Sequence, residues 1–380
     1  MNSSPLKGLK VLELARVLAG PWVGQTLADL GADVIKVESP DGDDTRRWGP
    51  PWVEQDGERS AAYYHACNRG KRSIVADFRT DEGKAIVQRL AAQSDVLVEN
   101  FKHGGLAKYG LDYAALNKLN PSLVYCSITG FGQTGPYADL AGYDFIIQGM
   151  SGLMDITGEA DGAPQKVGIA IADLLTGLYG VIGIQAALAA REKTGKGQHI
   201  DMALMDCMTG VLANQAMNYL VSGNSPQRMG PAHPNIVPYQ AFPVKDGYLI
   251  IAVGNDTQFQ RLVNLLDLEA GHSPAFATNA GRVDHRDKLV PLIADKTRLW
   301  RRDDLLAACE AHTIPAGPIN TMADVFNDPQ TIAREMAILV DGIPGVRTPI
   351  SFSGQNLALD RRAPQLDEHR VEILAAIGLT

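Results

Sequence analysis

The chain has little with which to hold a metal or a redox group. Its four cysteines, Cys67, Cys126, Cys207 and Cys309, are scattered over 380 residues. They form no CxxC pair and have no histidine at ligand spacing, which argues against a structural zinc site and for reduced, buried thiols of a cytoplasmic protein. The first strand-to-helix turn reads ARVLAGP and lacks the GxGxxG that lets a pyrophosphate approach a helix N-terminus, which disfavours a nicotinamide dinucleotide. Positive charge is also short. A net charge of −8 disfavours a generic nucleic-acid or anionic-membrane surface. Lys7, Lys10, Glu13 and Arg16 interrupt the N-terminal segment, so no signal peptide is expected.

What is present is a soluble composition, 45% hydrophobic and 21% charged, in a chain too long for one ordinary domain. One segment stands out. Residues 167–190, VGIAIADLLTGLYGVIGIQAALAA, carry a single ionisable carboxylate or base, Asp173. A charge there is costly unless it is paired, capped or chemically useful. Asp173 reads either as the N-cap of a helix starting at Leu174 or as a reactive group, and one residue can serve as both. The segment is long enough for a membrane span, but its carboxylate, Gln185 and many glycines fit a buried core helix better.

The first third alternates strand and helix signals. Strands are expected at 9–14, 32–38, 73–78, 95–101 and 123–131, with helices through Leu30 and over 81–93. Strands separated this way imply right-handed crossovers and a mostly parallel sheet covered on both faces. Glu38 then reads as a polar strand end. A helix over 174–192, a strand over 199–203 and an apolar helix through Val221 follow. The Gly/Pro-rich stretch 222–238 marks a linker. Beyond it, Lys245-Asp246-Gly247 signals a hairpin, followed by helices near 256–266, 282–297 and 303–312 and a last helix over 367–377. The expected fold is α/β. It comprises a Rossmann-like large domain with a parallel sheet over residues 1–224, a smaller α+β domain over 225–325, and a return to the first domain over 326–380.

Several segments in order resemble the class III coenzyme A-transferases, the family that also holds carnitine-type CoA-transferases and α-methylacyl-CoA racemases. They are LKGLKVLELARVLAGP, GADVIKVESPDGDDTR, NRGKRSIVADFRTDEG, DVLVENFKHGGLAKYGL, SITGFGQTGPYADLAGYDF, IADLLTGLYG, KTGKGQHIDMALMD and IPAGPINTMADVFNDPQ. The resemblance covers nearly the whole chain. It implies that Asp173 is the catalytic nucleophile. It places coenzyme A along Arg16, Val17, Leu18, Ala19, Ala76, Arg79, Asn100, Phe101 and Lys108, with Arg69, Lys71 and Arg72 as further basic neighbours. The plainer reading of each basic residue is a solvated surface charge, favoured for Arg69, Lys71 and Arg72 and disfavoured for Arg79 and Lys108, and Phe101 reads equally as a core residue. The resemblance also implies an interlocked homodimer and no prosthetic group, coenzyme A or its acyl thioester being substrate.

Two departures narrow the reaction. Tyr143 stands where the racemase branch of the family has a histidine, and an unperturbed phenol is a poor base at neutral pH. The alternative of a 2-methylacyl-CoA racemase is thereby disfavoured. Leu18 and the stretch 231–240, PAHPNIVPYQ, replace a glutamine and a glycine-rich flap of the oxalate-using branch. The text around 231–240 is similar to members that use succinyl-CoA and glutarate-type dicarboxylates. His233, Tyr239 and Gln240, with Asn235, are then candidates to contact the acyl group or cover the site, and Tyr143 and Asp144 are candidates to line it. Packing for Tyr143 and Asp144 and a proline-bounded loop for 231–240 are the plainer readings.

Overall fold

The computed structural model describes residues 4–379. Six parallel strands form its main sheet: β1 (Lys10–Glu13), β2 (Asp33–Glu38), β3 (Lys71–Val75), β4 (Val96–Glu99), β5 (Val124–Thr129) and β6 (His199–Ala203), in the order β3-β2-β1-β4-β5-β6. Neighbouring residues of one strand serve opposite faces. Val11 joins Val34, Val96 and Val124 in one core cluster, while Leu12 joins Ile74, Leu97 and Tyr125 in the other. Burial on both faces explains why these strands read as short apolar runs rather than as alternation.

Helix α1 (Ala19–Asp29) lies on the first face and brings Val23 and Leu27 to the core. The short α2 (Ala62–Asn68) follows a hairpin of Trp52–Gln55 and Glu58–Ala61 that the residues did not announce. Helix α3 (Asp81–Ala92), capped by Thr80 on the Gly83 N–H at 3.1 Å, covers the other face through Ile86, Val87 and Leu90. Next come α4 (Tyr113–Leu119), α5 (Asp144–Met150) and the long α6 (Ile171–Thr194).

Helix α6 packs along α1 and over β5 and β6. Only one of its faces is buried, through Ala172, Thr176, Gly177, Gly180, Ile184, Ala187 and Leu188, while Leu178, Tyr179 and Ile182 are exposed. This corrects the expectation of a core helix: its outer face is apolar yet uncovered in a single chain. Among the described residues it is the one helix long and apolar enough to cross a membrane by length and composition. The expected apolar helix after β6 breaks into α7 (Leu204–Val211) and α8 (Ala213–Ser222) at Ala213, whose φ is +46°.

Two compact units emerge. The first runs to Leu153, resumes over Lys166–Asn224 and again from Pro329. The second consists of Met154–Gln165 and Ser225–Asp328. Its strands β7 (Tyr239–Val244) and β8 (Gly247–Ala252) form an antiparallel hairpin closed by Lys245 and Asp246, and β9 (Ala316–Pro318) pairs with β8. Against this sheet, α9 (Asp256–Leu265), α10 (Asn279–Asp284), α11 (Arg286–Thr297) and α12 (Arg302–Ala311) build a core around Phe242, Leu249, Ile251, Phe259, Leu289 and Leu305. The helix expected over 282–297 is interrupted at His285. In the first unit, α13 (Arg370–Ala376) and the residues after it bury Ile373 and Ile377 beside Leu12 and Ile74.

Candidate active site

In a sheet of this order, the loops after β1 and β4 diverge at the carboxyl edge, where open α/β sheets bind ligands. Those loops carry Arg16–Ala19 and Asn100–Phe101. The Arg16 N–H donates to Asn100 Oδ1 at 2.8 Å, and Asn100 Nδ2 donates to the Arg16 carbonyl at 2.7 Å. Asn100 therefore ties the two loops together across the divergence, with both ends of its amide engaged.

The turn after β1 is strained. Val17 has φ +69°, a left-handed conformation that a β-branched residue adopts only when its surroundings over-determine it, at a cost of about 1–3 kcal/mol. Leu18 precedes α1 as its N-cap residue without a side-chain cap, and Leu18 and Ala19 are buried, so what this turn can offer a ligand is backbone. Helix α1 meets α6 closely here. A Cβ on Gly177 would sit 2.9 Å from the Ala19 carbonyl oxygen and 3.2 Å from the Trp22 ring. Gly177 lies four residues after Asp173, on the same stripe of α6. The bare glycine thus lets the start of α1 approach the helical stripe that carries Asp173.

Asp173 is not the N-cap of α6. The helix begins at Ile171, and its opening amides are served from outside: Asp144, first residue of α5, accepts the Ala172 N–H on Oδ1 at 2.8 Å and the Gln148 amide on Oδ2 at 2.7 Å. Buried Gln148 accepts the Val167 N–H at 2.9 Å, so α5 clamps the approach to α6. Among the described residues no hydrogen bond or ion pair engages the Asp173 carboxylate. Burial, reinforced by the negative charge of Asp144, pushes its pKa up to about 7. Solvent still reaches it, since the residue is half-buried. Tyr63 of α2 is close enough that burial and the Asp173 charge raise its phenol to about 12, which keeps it a neutral hydrogen-bond donor. Tyr63 is a candidate site residue that the sequence did not single out, whereas Asp144 was expected, beside Tyr143, either to line the site or to pack. Nothing in the run AAYYHACN separates Tyr63 from Tyr64, which is fully buried.

Beneath the turn lies a buried ionic hub. Glu13 meets Lys36 at 3.1 Å and Lys71 at 2.8 Å; Lys36 meets Asp43 at 3.0 Å; Glu38 meets Arg46 at 2.7 Å. Lys71 also donates to Asn68 Oδ1 and the Pro21 carbonyl. Three carboxylates balance three cations. Burial alone would raise the Glu38 carboxyl, but Arg46 holds it below its usual range. Glu38 is thus an anchor of this hub and not a simple polar strand end. Gly24 makes room for the hub, because a Cβ there would fall 1.8 Å from Glu13 Oε2. Lys71 is fully buried, Arg69 is bound to Asp29 at 2.6 Å, and Arg72 to Asp33 and Glu372. None of the three is a free neighbour for phosphates, and Lys71 is not a solvated surface charge either.

The remaining candidates for coenzyme A gather at the same edge. The Arg16 guanidinium lies 5.5 Å from the Phe101 ring centre and 3.6 Å from Asp44. Phe101 and Tyr109 both meet Phe78 edge-on, and exposed Lys108 lies over Tyr109 at 4.9 Å. Arg79 is exposed, its fork held by Asp77 at 2.8 Å. Ala76 is buried and donates its N–H to the Glu38 carbonyl. Tyr143 is exposed, immediately before α5. In the second unit, the His233 and Tyr239 rings stand 5.2 Å apart, the His233 N–H donates to the Tyr239 carbonyl, and Gln240 pairs with Ile251 in the hairpin. All four cysteines are free and buried, and no metal-holding cluster occurs among the described residues.

The sequence pattern of CoA-transferase family III matches residues 6–370. The chain is 59% identical to a succinate–glutarate CoA-transferase of Agrobacterium fabrum, over 98% of this chain and 96% of that one. It is 40% identical to the human succinyl-CoA:glutarate CoA-transferase, over 99% of this chain and 86% of that one. The crystal structure of a CaiB/BaiF family protein from Brucella suis, 65% identical, superposes with a TM-score of 0.90 over 99% of this chain and all of that one.

Proposed function

The chain belongs to CoA-transferase family III, and from that premise we propose that it passes coenzyme A from succinyl-CoA to a dicarboxylic acid of the glutarate type through Asp173. The observation that carries the mechanism is a carboxylate that no hydrogen bond engages among the described residues, raised to about 7, on the stripe of α6 that the start of α1 approaches at Gly177. Such a group is ionised in part at neutral pH and poorly solvated, which suits a nucleophile.

An Asp173 oxygen attacks the thioester carbonyl carbon. The C–S bond breaks, coenzyme A leaves as a thiolate, and an acyl–aspartyl anhydride remains. The thiolate attacks the Asp173 carbonyl carbon, the bond to the bridging oxygen breaks, and succinate departs as a carboxylate. Asp173 now holds coenzyme A as a thioester. The acceptor carboxylate attacks that carbon and expels the thiolate, which then attacks the acceptor carbonyl of the new anhydride, releasing acyl-CoA and restoring Asp173. Backbone N–H groups at the start of α1 are the proposed donors to the oxyanions formed along the way. Tyr63, kept protonated, is a second donor near Asp173.

Arg16, Arg79 and Lys108 are the proposed partners of the coenzyme A phosphates, with Phe101 and its aromatic neighbours as an apolar floor. The proposed partner of the chain is a second copy of itself. The exposed apolar residues of α5, α6 and α8, among them Phe145, Ile182 and Leu220, support this, because a lone soluble chain seldom leaves so many together. Free buried thiols support a cytoplasmic location.

Incubation with succinyl-CoA and glutarate, followed by mass spectrometry of the thioesters, tests the reading. Glutaryl-CoA is expected from the native chain and no more than a trace from Asp173→Asn. Deuterium entering the α-carbon of a 2-methylacyl-CoA in heavy water, with no transfer, would replace this reading with the racemase.

A further inference from the structure

The residues 15–17 that precede α1 have almost no backbone polar group left to chance. Lys36 Nζ donates to the Ala15 carbonyl at 2.8 Å. Asn100 takes both the N–H and the carbonyl of Arg16. The Val17 N–H points at the Asp43 carboxylate, 3.2 and 3.3 Å from its two oxygens. Lys36 and Asp43 are themselves an ion pair with fully buried side chains. One pair of charges therefore grips both ends of a three-residue segment. Asp43 cannot swing away: Thr45 donates to its Oδ1 through both N–H and hydroxyl, at 3.0 and 2.8 Å, and its own N–H is held by Glu38 at 2.9 Å.

A buried ion pair that only added stability could be exchanged for apolar side chains. This one aims its polar atoms at a turn whose central valine would otherwise leave the left-handed region. We propose that Asp43, through its ion pair with Lys36, is a positioning residue for acyl transfer: it fixes the Val17 peptide, and with it the start of α1 against the stripe of α6 that carries Asp173. The inference rests on the reading of Asp173 as nucleophile. Asp43 touches no reacting atom. It acts through the turn, where small displacements are enough to spoil alignment.

The test uses the full chain with succinyl-CoA and glutarate, in the native form and as Asp173→Asn, Asp43→Asn and Asp43→Asn/Val17→Gly. If the native chain transfers nothing, or Asp173→Asn transfers normally, the nucleophile reading fails whatever Asp43 does. With that reading standing, Asp43→Asn is expected to fold, to keep KM for succinyl-CoA within about threefold, and to lose roughly ten- to a hundredfold in kcat. Adding Val17→Gly should restore about tenfold of that loss, because glycine takes φ +69° without a Cβ clash. Native kcat in Asp43→Asn, or no recovery in the double variant, overturns the proposal. Should Asp43→Asn fail to fold, Thr45→Val keeps both charges and removes one tether of the carboxylate. Its kcat should fall about threefold at constant KM and recover with Val17→Gly, and native kcat there overturns the proposal equally.

Discussion

The protein holds its inward carboxylates in two contrasting settings. In the hub under β1 to β3, every buried acid has a cation in contact, and burial is outweighed: Lys36 and the Thr45 donors bring Asp43 down to about 2 against the cost of desolvation. At the start of α6 the opposite holds. Among the described residues Asp173 has no cation paired with it, and burial, with the negative charge of Asp144 adding to it, takes it to about 7. The same side-chain chemistry makes a structural anchor in one place and, in the proposed function, a reactive group in the other, according to what faces it. A raised pKa alone does not mark the nucleophile. Burial also lifts Glu99 to about 7, yet that carboxyl bonds Ser127 and the Phe101 N–H and serves the turn after β4.

The contrast can be broken from either side. The largest effect is expected at Asp173. Asp173→Asn should lower transfer by on the order of 10⁴-fold, measured as glutaryl-CoA formed. The same change should stabilise the fold at pH 8. The folded carboxyl binds its proton more tightly than the unfolded one, so the native chain loses stability as pH rises from about 4 to 7. The amide cannot ionise and removes that loss, on the order of 2 kcal/mol once solvent screening of this half-buried group is allowed for, read by chemical denaturation at about pH 4 and pH 8. On the paired side, Lys71→Met leaves Glu13 short of a partner in a dry site and should cost about 3–5 kcal/mol in the same experiment. Gly177→Ala pushes α1 off α6 and should cost about 1–3 kcal/mol, with kcat falling while the fold persists. The smallest effect is Asp144→Asn. The amide oxygen can still accept the Ala172 N–H, but the repulsion is gone, so the acidic limb of the rate profile should move from near pH 7 downward by about half a unit to one unit.

Much of this was legible in the residues. The apolar runs at 32–38 and 123–131 became β2 and β5 with trimmed ends, and Lys245-Asp246-Gly247 closed the hairpin of the second unit as expected. Asp173 was legible as an oddity because a single charge breaks a long apolar stretch. Its local role was not. A capping residue is normally sought just before the helix, whereas here Asp144 arrives from another helix and frees Asp173 of that duty. The hub was illegible for a related reason. Glu13, Lys36 and Lys71 belong to three strands, and each alone looks like a single charge within or beside a short apolar run. Only the register of β1, β2 and β3 brings them together. The strain at Val17 was equally hidden, since nothing in ARVLAGP demands a left-handed valine.

The central claim is that Asp173 forms an anhydride with each acid in turn, and acid labelled with heavy oxygen tests it most directly. When coenzyme A leaves for labelled glutarate, the bridging oxygen of the anhydride stays behind on the aspartate. Mass spectrometry of the peptide containing Asp173 should therefore show heavy oxygen after turnover, and none on the peptides containing Asp144 or Asp43. Full turnover with an unlabelled Asp173 peptide would contradict the account.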